Sequence, residues 1–256
     1  MKRIINIILI TIIIFCIAII RNKYYHYHVD NVLNEEIQQL APMANEVFAN
    51  NIDSKNDGDS VNSEEASNVE EINAEFSANE AELKAINDDF KMWVQIKNSE
   101  INYPVVQGTD NEYYLEHNFK GEPNISGTIF IDYLNNIEDK NIVIYGHNMK
   151  NGTMFNNLTK YKEEQFFNDN NIINIIKDNR LYQYKVVSVY VEEADKLKVK
   201  LAFDSNEEFI NYASKEIDKS IYKNDVSINE DDKLITLITC SYEYTDARTV
   251  VVAVRK

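Results

Sequence analysis

The stretch Lys233–Cys240, "KLITLITC", and the stretch 248–256, "RTVVVAVRK", flank the seven residues "SYEYTDA". Both flanks are apolar and rich in β-branched residues, the composition of a strand. The polar segment between them suits a hairpin-type reversal joining antiparallel neighbours. In that pairing Cys240 closes one strand and Arg248 opens the next, so the two face each other across the loop.

Moving outward, short runs of the same kind recur at "INYPVVQ" (101–107), "GTIFID" (127–132) and "NIVIYGH" (141–147). They continue at "IINIIK" (172–177) and "LYQYKVVSVYVEE" (181–193). Polar breaks every ten or so residues point to a barrel or a sandwich. One helix interrupts the series. Ser205 and Glu208 form the capping-box pattern, and Phe209, Tyr212, Ala213 and Ile217 follow on one face. A second helix is expected to begin near Asn79, with Leu83, Ile86, Phe90 and Trp93/Val94 at helical spacing. The expected fold is mainly β, with an N-terminal helix before the strands and one helix inserted between the late strands.

At the N-terminus, "IINIILITIIIFCIAII" (Ile4 to Ile20) is nearly unbroken apolar sequence, bounded by Lys2 and Arg3 before it and Arg21 and Lys23 after it. Its length lies at the short end of what spans a bilayer. Basic residues follow at once and no A-x-A-like site appears, which argues for a retained signal-anchor over a cleaved signal. Residues 1–23 are therefore expected to be a membrane anchor, with the bulk of the chain outside the cytoplasm. Residues 24–78 read as a polar, acidic stalk. Between Asp53 and Glu82 there are ten acidic residues against Lys55 alone, too polar a composition to bury a core. A catalytic or binding domain is expected over 79–256.

The net charge of −16 makes nucleic acid an unsuitable partner, because a polyphosphate would be repelled. There is no CxxC pair, HExxH or His/Cys cluster to signal a metal, and no glycine-rich phosphate loop to signal a nucleotide. The acidic stalk lacks the spaced DxDxDG pattern of a calcium loop. No cofactor and no metal site are expected.

Of two cysteines, Cys16 lies in the apolar N-terminal run, leaving Cys240 a free thiol in a compartment that tends to oxidise thiols. A buried filler is one reading of it. A nucleophile is the other, and that needs a base or a cation nearby, since only the thiolate attacks. Of four histidines, His26 and His28 adjoin the anchor, and His117 sits in the polar "YYLEHNF". His147 instead follows an apolar strand directly, with Gly146 permitting a tight backbone, and a strand end holds a side chain firmly. Arg248 supplies a guanidinium suited to hold a carbonyl and the oxyanion formed on attack.

"TLITC" (Thr236, Leu237, Ile238, Thr239, Cys240) followed by Arg248, with "YGHN" upstream, resembles the TLxTC pattern of the sortase family of cysteine transpeptidases of Gram-positive bacteria. "INYPVVQGTDNEYYLEHNF", "SGTIFIDY" and the helix near 205–219 are most like class B sortases. The resemblance implies a closed β-barrel of about eight strands, with Cys240, His147 and Arg248 around a surface groove. It implies that Cys240 forms a thioester with the threonine of a C-terminal sorting motif in a secreted surface protein. His147 would act as general acid and then base, and Arg248 would position substrate and stabilise the oxyanion. A peptidoglycan precursor amine would resolve the thioester. By the same resemblance Asn102 and Thr239 line the substrate groove. Ile238 departs from the small polar residue that relatives often carry in TLxTC. The location implied is a single-pass membrane protein with its catalytic domain at the cell surface.

Two other readings use the same residues differently. A cell-wall cysteine peptidase or amidase would resolve the acyl-enzyme with water. A tethered, non-catalytic β-barrel binding module would keep Cys240 buried and unreactive.

Overall fold

The computed structural model describes residues 2–41, 79–223 and 226–255. The chain divides into two compact units, Met1–Gln39 and Leu40–Lys256. The first contains the helix Lys2–Gln38. Within it Ile4–Asn22 has a mean hydropathy of 2.9 and the length to cross a bilayer. The helix does not end at Lys23, the expected limit of the anchor, but continues through the first part of the expected stalk to Gln38. The rest of that expected stalk, 42–78, lies outside the described residues.

In the second unit, 79–86 is helical and eight strands follow. They are β1 (Phe90–Ile96), β2 (Asn102–Val106), β3 (Ile129–Ile131), β4 (Asn141–Tyr145), β5 (Ile172–Lys177), β6 (Arg180–Glu193), β7 (Lys233–Cys240) and β8 (Ala247–Arg255). They close into a barrel in the order β1-β2-β3-β4-β7-β8-β6-β5. The expected mainly β fold is present, and seven strands fall where the sequence placed them.

The eighth corrects the reading. Phe90, Trp93 and Val94 are not the last turns of a helix but part of β1, because the helix stops at residue 86. Met92, Trp93 and Val94 are all buried. A strand covered on both faces loses its polar alternation, and its apolar residues then mimic a helical period.

The same double burial explains the unbroken apolar character of β7 and β8. Ile235, Leu237, Val251 and Ala253 belong to the barrel interior, which Trp93's neighbours Met92 and Val94, with Phe155 and Tyr161, help to fill. Leu234, Ile238, Val250, Val252 and Val254 face outward and pack against Phe209, Ala213 and Ile217. Those three come from the helix Asn206–Asp218, which lies between β6 and β7 in the chain. Ser205 caps it, accepting a bond from the Glu208 amide at 3.2 Å. Glu208 does not complete a capping box. Its carboxylate accepts from the Asp204 amide and from Lys200 instead.

Candidate active site

The sheet order puts β4, β7 and β8 side by side, with β4 parallel to β7 and β7 antiparallel to β8. Their ends therefore meet at one pole: the C-termini of β4 and β7 and the N-terminus of β8. Cys240 and Arg248 are direct Cα partners in the ladder. The "SYEYTDA" loop is thus the reversal that the sequence suggested.

Alternation fixes which side chains share the outer surface there. Phe130, Tyr145 and Ile238 are registered across β3, β4 and β7. Cys240 lies two residues beyond Ile238, and so on the same face. These residues, with Asn111, Leu115, Gly146, His147, Thr239 and Arg248, line one cleft of about 260 Å³. Cys240, His147 and Arg248, chosen from sequence as catalytic, are brought together in it. Cys240 is a free, partly exposed thiol, so the buried-filler reading does not describe its setting.

His147 leaves β4 through Gly146, where a side chain has no room. A Cβ there would stand 2.9 Å from the Phe155 ring. Beyond His147 the chain bulges out over 148–154 and returns, the Phe155 amide donating to the His147 carbonyl at 2.9 Å. His147 Nε2 lies 2.8 Å from the carbonyl of Leu115. A carbonyl can only accept, so Nε2 carries the hydrogen. In the neutral ring Nδ1 is then the nitrogen left for proton exchange. Among the described residues no carboxylate orients this histidine; a backbone carbonyl does.

That carbonyl is itself held close. Leu115 ends a short 3-10 turn, Tyr113–Leu115. Gly127 packs against it at φ +61, where an added Cβ would lie 2.7 Å from the Leu115 oxygen and 2.5 Å from that of Tyr114. Only glycine accommodates both demands.

Cys240 is tied from the other side. Asn148 Nδ2 donates to the Cys240 carbonyl at 2.8 Å, and Asn148 Oδ1 accepts from Asn156 Nδ2 at 2.7 Å. The residue after the histidine thus fastens the backbone of the cysteine. Thr239 adds a second tie, its hydroxyl donating to the Gly146 carbonyl at 2.7 Å.

Arg248 is partly exposed, and Nη1 donates to the Ala247 carbonyl at 3.0 Å. Among the described residues no carboxylate stands within ion-pairing distance of it. Glu243, one partner a surface arginine could have taken, is held by Lys162 and by the Ser241 hydroxyl instead. Burial tends to raise the Glu243 carboxyl, but those two contacts prevail and hold it at about 2.

The two residues expected to line a substrate groove separate here. Thr239 lines the cleft, although its hydroxyl is already bonded to Gly146. Asn102 is not among the lining residues of this cleft, and its Oδ1 accepts from Trp93 Nε1 at 2.7 Å. The far wall holds Tyr145, whose hydroxyl donates to Asp132 at 3.1 Å, and Asn111, whose amide donates to the same carboxylate at 3.1 Å. Burial first, and then the Asp132 charge, push the Tyr145 phenol far above its ordinary value, so it stays protonated. Leu115, Asn148 and Asn111 fall within motifs quoted from the sequence but receive no role there. Of these only Asn148 carried a signal, its position next to His147.

Residues 94–256 match the family model described as the sortase domain. The chain is 36% identical over 184 residues to sortase B of Listeria monocytogenes, covering 70% of this chain and 75% of that protein. It is 31% identical over 175 residues to sortase B of Staphylococcus aureus, covering 67% and 72%. Among solved structures it is similar to a cysteine-to-serine mutant form of Clostridium perfringens sortase B. That match has a TM-score of 0.77 and 34% identity, and covers 89% of this chain and 98% of the other.

Proposed function

Because this chain belongs to the sortase family and is similar to class B enzymes, we propose that it cleaves a C-terminal sorting motif after threonine and joins the acyl half to a cell-wall amine. The observation that carries this reading is the cleft in which a free cysteine, a histidine and an arginine with no ion-paired carboxylate among the described residues converge.

In the first half-reaction His147 takes the thiol proton of Cys240, and the thiolate adds to the threonine carbonyl. Arg248 stabilises the oxyanion of the tetrahedral intermediate with a planar fork of N–H donors. As the intermediate collapses, His147 returns the proton to the leaving amine and a thioester remains on Cys240. In the second half an incoming amine loses its proton to His147 and attacks the thioester. The amide is formed and the thiol is restored, so protons balance over the cycle. Substrates are secreted surface proteins that carry the motif, and the acceptor is a peptidoglycan precursor amine.

The apolar helix at Ile4–Asn22 supports membrane anchoring, with the catalytic domain over 79–256 on the outer side of a Gram-positive membrane. In this reading Thr239 belongs to the substrate groove through its place in the cleft wall, and Asn102 to an extension of that groove outside the cleft.

The test uses the full chain in detergent micelles with a panel of fluorogenic sorting-motif peptides. At least one is cleaved, and adding an amine diverts the acyl product from acid to amide. A methanethiosulfonate reagent labels Cys240, and the cleaved peptide protects it. Wild-type cleavage by Cys240→Ala would sink the proposal. Acid as the sole product at every amine concentration would favour the peptidase reading.

A further inference from the structure

At the pole of the barrel opposite Cys240 there is a second cavity, of about 280 Å³. β7 begins there at Lys233 and ends at Cys240, so at about 3.3 Å per residue the two poles lie roughly 23 Å apart. The floor is the end of the barrel core: Met92, Ile142, Ile175 and Ile235. The walls carry four cations, Lys177, Arg180, Lys233 and Arg255, against two carboxylates, Glu138 and Asp139, in a chain whose net charge is −16.

Acidic groups nearby do not neutralise this set evenly. Glu138 serves both lysines, at 3.1 Å from Lys177 and 3.2 Å from Lys233, and their combined contacts lower its carboxyl below the usual range. Asp139 accepts from the Asn135 side chain and the Asn136 amide. Asp178 lies 3.5 Å from Lys177. Among the described residues neither Arg180 nor Arg255 has a carboxylate within ion-pairing distance. Arg255 instead lies over the ring of Tyr182 at 4.6 Å and is 5.9 Å from that of Tyr184. Stacking on a ring holds the guanidinium plane while leaving its N–H edge free to donate.

We propose that this cavity is a binding site for a small organic anion. Its phosphate or carboxylate would be gripped by Arg255 and Arg180, and its ring or apolar body would rest against Tyr182, Tyr184 and the isoleucine floor. Two guanidiniums that have no ion-paired carboxylate among the described residues, converging on one pocket, repel each other until an anion enters. The apolar floor disfavours a fully hydrated ion and rewards a body that displaces water. The site is separate from the catalytic cleft and does not depend on the reaction assigned to it.

Calorimetric titration of the full chain in detergent micelles tests the site with three probes. Glucose 1-phosphate offers phosphate on a ring, glucuronate offers carboxylate on a ring, and inorganic phosphate offers the anion alone. The expected result is saturable binding of one ring-bearing probe with Kd near or below about 1 mM, weakened by added salt, with inorganic phosphate weaker. Which ring probe binds tighter identifies the anion. Arg255→Gln should weaken binding about tenfold and the exposed Arg180→Gln about fivefold. Arg180→Gln should leave melting temperature and peptide cleavage at wild-type values, so it keeps the test decisive if Arg255→Gln fails to fold. No saturable binding of any probe up to about 10 mM, or equal affinity in wild type and Arg180→Gln, overturns the proposal.

Discussion

The side-chain amide of Asn148 donates to the backbone carbonyl of Cys240 at 2.8 Å, joining the neighbour of His147 to the cysteine of the cleft. Removing the donor leaves that carbonyl without its partner, at about 1–3 kcal/mol. Asn148→Ala should therefore lower kcat about tenfold with little change in KM. Asn148→Asp should be worse, since it sets a carboxylate against a carbonyl. Steady-state kinetics on a cleaved peptide checks this, with circular dichroism confirming the fold.

Arg248 faces Cys240 directly across the ladder. Replacing its fork with a point charge keeps the sign and loses the paired donors. Arg248→Lys should lose about 100-fold or more in kcat/KM, comparable to removing one oxyanion donor. Near-normal turnover would show that charge alone suffices.

Gly127 is remote from the thiol in sequence yet touches the oxygen that orients His147. An added methyl would stand 2.7 Å from the Leu115 oxygen, on a backbone at φ +61. Gly127→Ala should destabilise the fold by about 1–3 kcal/mol and reduce kcat further than that loss explains. Hydrogen exchange at the 113–115 turn, read beside kcat, separates the two effects.

Thr239 is buried and bonds the Gly146 carbonyl at 2.7 Å. Thr239→Val keeps the shape and orphans that carbonyl. The expected stability loss is about 1–3 kcal/mol by chemical denaturation. A change confined to KM, with unaltered stability, would instead assign the hydroxyl to substrate.

Glu243 has its carboxyl held at about 2 by Lys162 and Ser241 against the opposing effect of burial. A depressed carboxyl stabilises the fold above its unfolded value, and the benefit fades as pH falls toward 2. Because Glu243 is more than a third exposed, solvent screening reduces the contribution to about 1 kcal/mol. Wild type should exceed Glu243→Gln by that amount at pH 7. The gap should shrink below about pH 4.5 and vanish near pH 2.

The strands and the Cys240–Arg248 pairing were legible because β-branched runs and a polar reversal are local signals. β1 was not, since burial on both faces erased the alternation that marks a strand and left Phe90 and Trp93 at helical spacing. The site divided along similar lines. Side chains with intrinsic chemistry, Cys240, His147 and Arg248, could be picked out by type and position. The group that orients His147 could not, because it is the carbonyl of Leu115, an atom every residue possesses. Only the fold decides which carbonyl stands there. Asn148 lay in plain view, but nothing in an isolated asparagine says that its amide will reach a residue 92 positions away.

The order of the strands around the barrel also has a consequence in time. β8 is the last of the eight in the chain, yet it lies between β7 and β6 and closes the ring. While the polypeptide is still emerging, the thiol of Cys240 has no guanidinium opposite it, and the sheet that carries it has an open edge. In the proposed mechanism Cys240 is thus made before the guanidinium that would stabilise its oxyanion. Under that mechanism the cleft is complete only once β8 has docked between β7 and β6.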